Sequence, residues 1–205
     1  MTESRIGILG GTFDPVHIGH LIIAEEVRQK LKLKEVIFIP TGQPWLKKVQ
    51  KISSAEHRLQ MTILATASNP YFSVSTIEIE RDGPTYSIET ISELKAGLGA
   101  GVVLYFIVGF DALAELPSWK DARRLVEICR VVGVARPPHT KLNLRSLESA
   151  IPRASERIIT VDVPHIGVSA TEIRKRVADG YSVKYLVPES VEQYIRENGL
   201  YSEGG

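Results

Sequence analysis

The run Val103-Leu104-Tyr105-Phe106-Ile107-Val108 is apolar at every position. A strand with one wet face would alternate, so an unbroken run predicts a strand covered on both faces, as at the centre of a parallel sheet. Val/Ile-rich runs at residues 5–9, 35–40, 72–79, 130–135 and 157–161 join 102–108 to make six strand candidates. Helical patterns fill the gaps. Residues 18–31 place Leu21, Ile22, Ala24, Val27 and Leu31 close to the 3.6-residue period. Ser53-Ser54-Ala55-Glu56 reads as a capping box opening a helix that runs to about residue 67. Further helices are expected at 87–96, 119–128, 171–178 and 189–198, the last stopped by Gly199. Strand and helix in alternation predict an α/β fold: a doubly wound parallel sheet of about six strands. A single domain is expected over 1–205, with a small C-terminal helical part at 165–205.

The 205 residues suffice for a sizeable core, and the formal net charge of +1 offers no bulk field for nucleic acid or an anionic membrane. Cys129 stands alone in an apolar stretch, which predicts a buried structural thiol and no Cys/His metal cluster. The N-terminus leads straight into a strand with no signal-like apolar segment, and no run approaches a bilayer span. A cytoplasmic protein is the expectation. The sequence leaves open whether copies associate into a homo-oligomer.

Chemistry is concentrated where the first strand gives way to the first helix, in Gly10-Gly11-Thr12-Phe13-Asp14-Pro15-Val16-His17-Ile18-Gly19-His20. A strand–turn–helix of this kind exposes backbone N–H groups at the positive end of a helix dipole, and both suit phosphate. His17 and His20, three apart, can share one side of the first turn. Asp14 beside Pro15 reads as a turn-former rather than a base. Farther on, Val168-Ser169-Ala170-Thr171-Glu172-Ile173-Arg174 offers a second helix start with hydroxyls and an arginine; pattern alone also fits a plain capped surface helix. Two loops, 41–52 and 136–144, leave the carboxyl ends of strands, where ligands of open α/β sheets bind. Gly109 and Asp111 follow the fourth strand, the carboxylate suited to ribose hydroxyls. Trp119 reads equally as a core anchor or as a platform for a flat ring.

The turn resembles the His-x-Gly-His signature of the nucleotidyltransferase superfamily. Its Gly-Gly-Thr-Phe-Asp-Pro prefix is similar to bacterial nicotinate-mononucleotide adenylyltransferases, and the likeness runs to about residue 200. The resemblance implies a Rossmann-like fold and transfer of the adenylyl group of ATP to nicotinate mononucleotide, releasing pyrophosphate. It implies that Gly10, Gly11, Thr12, Phe13, His17, Gly19, His20, Ser169, Thr171 and Arg174 bind ATP. Thr12, Lys47, Thr85, Gly109, Asp111 and Trp119 would bind the mononucleotide, and His17, His20, Lys47 and Arg174 would act in catalysis. Mg²⁺ would travel mainly on the ATP phosphates. Arg58 matches a basic position in the family, and a salt-bridged structural role suits it as well. Several positions depart from the family pattern: Trp45 and Leu46 before Lys47, Phe110 between Gly109 and Asp111, Lys120 after Trp119, and Ala170 after Ser169. Three alternatives stay open at this point: a preference for nicotinamide mononucleotide, pantetheine-phosphate adenylyl transfer, and a silent nucleotide-sensing module.

Overall fold

A computed structural model of the chain describes residues 3–43, 52–135, 144–164 and 166–202. Its strands are β1 (Ser4–Gly11), β2 (Glu35–Pro40), β3 (Phe72–Val74), β4 (Val102–Gly109), β5 (Arg130–Ala135) and β6 (Ile158–Asp162). All are parallel and lie in the order β3-β2-β1-β4-β5-β6. The helices are α1 (Ile18–Leu31), α2 (Ala55–Thr66), α3 (Ser87–Leu98), α4 (Phe110–Ala114), α5 (Ala122–Ile128), α6 (Leu144–Ala150), α7 (Ala154–Arg157), α8 (Ala170–Ala178) and α9 (Glu189–Glu197).

Residues of β1, β2 and β4 alternate between two cores, which is how a sheet apolar on both faces must be satisfied. Ile6, Ile8, Ile37, Ile39, Leu104 and Phe106 face one layer with Ile88 and Ile91 of α3, Leu125 of α5 and Leu147 of α6. Leu9, Val36, Phe38, Tyr105 and Ile107 face the other, against Ala24 and Val27 of α1, Met61 of α2, Ile173 of α8 and Ile195 of α9. The C-terminal helices thus share a core with α1 and α2. Gly199 (φ 59°) ends α9, with Leu200 N bonded to Ile195 O and Gly199 N to Arg196 O, the paired bonds of a Schellman stop. No helix among the described residues is long and apolar enough to cross a membrane.

Four details differ from the sequence reading. The expected strand 72–79 stops at Val74, because continuing the register would set Thr76 against Pro40, which has no N–H to give. The segment turns instead, with Ile79 and Glu80 N–H groups bonded to Thr76 O. The cap of α2 is Ser54, whose hydroxyl accepts from His57 N, one residue later than expected. The helix expected from Trp119 begins only at Ala122, since Trp119 is extended and Asp121 is left-handed. Finally, α4, α6 and α7 were not anticipated, and Arg157 closes α7 rather than opening β6.

Candidate functional site

Strand order reverses between β1 and β4, so their carboxyl ends part and leave a crevice. A cavity of about 440 Å³ occupies it. Gly10, Gly11, Thr12 and His20 line one side; Thr85, Tyr86, Gly109 and Trp119 line another. Phe106 joins the two: its ring lies 3.9 Å from where a Cβ on Gly10 would stand, and Trp119 packs against it edge-on at 6.1 Å. Trp119 is therefore both core neighbour and cavity wall.

The turn is built to hold His20 still. His17 is the N-cap of α1, and its backbone N–H donates to His20 Nδ1 at 3.2 Å. Because Nδ1 accepts, the proton of the neutral ring resides on Nε2, making that atom a donor. The two imidazoles stack at 3.7 Å, and the buried Phe13 ring meets His20 edge-on at 5.1 Å. Gly19 permits the stack, since a Cβ there would sit 3.0 Å from His17 Nδ1. His17 itself is buried, with Gly19 and Val168 beside it in a narrow crevice on the α8 side.

Asp14 lies in a turn, as expected, and is also a buried junction. Its carboxylate is 3% exposed and accepts from Tyr201 Oη at 2.7 Å and from Ser53 N at 3.3 Å. Arg174 donates to its carbonyl oxygen at 2.8 Å and stands 4.0 Å from the carboxylate. The turn, the entry to α2, α8 and the C-terminal segment thus meet at one residue. Burial and the Asp14 charge raise the Tyr201 phenol above its ordinary range, so it remains a donor.

Arg58 is held by backbone carbonyls rather than by the salt bridge that a structural role suggested. It is 2% exposed and donates to four carbonyls: Ser53 (3.0 Å), Thr12 (3.0 Å), Thr41 (2.6 Å) and Gly42 (3.0 Å). Burial lowers its pKa, opposed by Asp14, but a guanidinium keeps its charge in a protein. Its partners are backbone dipoles, so it fastens the glycine turn to the loop after β2. Glycine is required at 42, because a Cβ there would run into the Glu78 carbonyl oxygen.

The remaining candidates separate. Ser169 caps α8, accepting from Glu172 N at 3.2 Å, and Thr171 is exposed on its first turn; neither lines the cavity. Asp111 is exposed on the first turn of α4 and does not line it either, whereas Gly109 does. Lys47 and Trp45 lie outside the described residues. Sequence reasoning missed two members. Glu78 lines the cavity, accepting from Thr90 Oγ1 at 2.8 Å. Burial pushes its carboxyl up, while the Thr90 and Thr85 hydroxyls and Arg81 pull it down. Tyr201, which braces the turn through Asp14 and does not line the cavity, is the other. Nothing in Ile77-Glu78-Ile79 or Leu200-Tyr201 signals a site, because each reaches it only through the fold.

Comparison with known proteins gives the family and the fold. Residues 8–176 match the family model described as cytidylyltransferase-like. A relative from Thermoanaerobacter sp., named a probable nicotinate-nucleotide adenylyltransferase, is 48% identical over 202 residues, covering 98% of this chain and 96% of its own. One of the same name from Dehalococcoides mccartyi is 46% identical over 201 residues, 98% of each chain. The fold is also that of Plasmodium falciparum nicotinic acid mononucleotide adenylyltransferase, solved as a complex with NaAD, at TM-score 0.74, 20% identity and 97% of each chain. With two near-full-length relatives above 45% identity and a family model matched over residues 8–176, the chain belongs to the nicotinate-nucleotide adenylyltransferases of the cytidylyltransferase-like family.

Proposed function

We propose that this chain transfers the adenylyl group of ATP to nicotinate mononucleotide, forming nicotinate adenine dinucleotide and pyrophosphate in NAD biosynthesis. One observation carries the reading: a single cavity joins a glycine turn with an oriented imidazole donor to a wall of flat aromatic side chains. The first suits phosphate and the second a pyridine ring.

The mononucleotide phosphate is ionised near neutral pH and is itself the nucleophile. It attacks the α-phosphorus of ATP, the bond to the β-phosphate oxygen breaks, and pyrophosphate leaves with that electron pair. No covalent enzyme intermediate is needed. The work of the chain is to align two anions and to stabilise charge on the phosphoryl oxygens. His20 Nε2–H supplies a donor whose direction is set by the His17–His20 bond. Arg174, steadied by the Asp14 carbonyl, supplies a fixed charge beside the turn. Ser169, Thr171 and Lys47 are proposed to complete the grip on the triphosphate.

The donors at the turn are N–H groups, imidazoles and a guanidinium, which bind phosphate rather than a hard cation. Among the described residues no group of three or more His, Cys, Asp or Glu gathers. This set fits Mg²⁺ arriving on ATP, held by phosphate oxygens and water, where it would offset charge on the leaving pyrophosphate.

The test is pyrophosphate release with ATP and each pyridine mononucleotide. The wild-type chain is expected to turn over nicotinate mononucleotide, and His20→Ala to lower kcat by about 100-fold or more. A folded His20→Ala with near-wild-type kcat would refute that role.

A further inference from the structure

The aromatic wall of the cavity carries a charge pattern that ring stacking does not use. Lys120 follows Trp119 directly, and both line the cavity; Lys120 is the one lysine or arginine among the described lining residues. Its ammonium lies 4.2 Å from the centre of the Tyr86 ring and 2.7 Å from Glu89 Oε1. Glu89 and Asp121 both act on Lys120, and Glu78 lines the same cavity. Arg81 is turned to Thr90 at 3.0 Å and Glu93 at 2.7 Å. Among the described lining residues Glu78 is the carboxylate and Lys120 the cation that an anionic ring substituent would meet.

We propose that Lys120 is the specificity-determining group at the aromatic end: its ammonium pairs with the carboxylate of an acidic pyridine mononucleotide and ranks that substrate above the uncharged amide. The inference rests on the adenylyl-transfer reading given above. A flat ring laid on the Trp119 indole brings its substituent within reach of the next residue's four-carbon arm. The pair with Glu89 does not use up the cation, because both side chains are partly exposed (46% and 40%) and such pairs are weak. An ammonium has three donors, so it can bridge Glu89 and a ligand carboxylate together. The Tyr86 face, 4.2 Å from the ammonium, favours a position at the cavity mouth for this half-exposed side chain.

The experiment compares wild type, Lys120→Gln and Glu89→Gln on nicotinate and nicotinamide mononucleotides. Each is measured by kcat/KM with ATP and, without turnover, by calorimetric affinity. Lys120→Gln is expected to weaken the acid about tenfold while leaving the amide within about twofold, the loss of one charge-assisted hydrogen bond. Glu89→Gln, which frees the ammonium and removes a repelling carboxylate, is expected to raise the acid-to-amide ratio. Added salt should shrink the wild-type preference. An acid-to-amide ratio unchanged in Lys120→Gln, by either measure, overturns the assignment. Absence of pyrophosphate from wild type with either mononucleotide would instead refute the transfer reading, and the calorimetric ratio would still decide the role of Lys120.

Discussion

Replacing Arg58 by lysine keeps the charge and the alkyl stem but exchanges a planar fork for a tetrahedral point donor. The guanidinium reaches Ser53, Thr12, Thr41 and Gly42 carbonyls from three nitrogens spread across a plane. One ammonium at the end of a similar stem can serve two of these, so two contacts are lost and two carbonyls beside a 2%-exposed side chain go unpaired. At roughly 1.5–3 kcal/mol for each hydrogen bond to a charged group, the loss is about 3–6 kcal/mol. That is a large share of the roughly 5–15 kcal/mol that holds a domain of this kind together. Urea unfolding followed by circular dichroism measures it: the midpoint should fall with little change in the slope. Activity should fall as well, chiefly through KM, because Thr12 and Thr41 are cavity-lining residues that Arg58 ties together. An Arg58→Lys protein within about 1 kcal/mol of wild type would show that water or neighbouring groups satisfy those carbonyls, and that Arg58 does not hold the turn.

Two further outcomes concern stability. Glu25 is held by a two-pronged contact with Arg28 (2.9 and 2.7 Å) and by Gln29 and Asn69, and the Arg28 bond leads in lowering its pKa to about 2. A folded-state pKa below the unfolded one adds stability that is complete above about pH 4.5 and fades as pH falls toward 2; after discounting for exposure it is about 1–2 kcal/mol. Glu25→Gln should therefore be less stable than wild type at pH 7 and nearly equal to it near pH 2, and an equal difference at both would refute the assignment. Tyr201→Phe removes the 2.7 Å bond to the buried Asp14 carboxylate and should cost about 2 kcal/mol in urea unfolding. An unchanged midpoint would mean that the C-terminal segment does not brace the turn.

Much of the site was legible because its parts are contiguous. A glycine turn with two histidines three apart, between an apolar strand and an amphipathic helix, is local information. The stack at 3.7 Å follows from that spacing. Cys129 in its apolar run was likewise read correctly as buried, and burial pushes its thiol up to about 12. Glu78, Tyr201 and the partners of Arg58 were not legible. Tyr201 is 187 positions from Asp14, and Thr12 is 46 from Arg58. No periodicity links residues so far apart.

The sequence by itself determined the six parallel strands, since an apolar run such as 103–108 has no stable place except between two layers of helices. It determined the glycine and histidine turn after β1 for the same kind of reason, as a local conformation chosen by local residues. The tertiary structure alone decided how the turn is held and what faces it. Strand order placed β1 beside β4 and opened the cavity between them. The missing N–H of Pro40 ended β3 early, and Glu78 beyond it lines that cavity. Those outcomes depend on which surfaces meet, and long-range packing decides that once the chain has closed on itself.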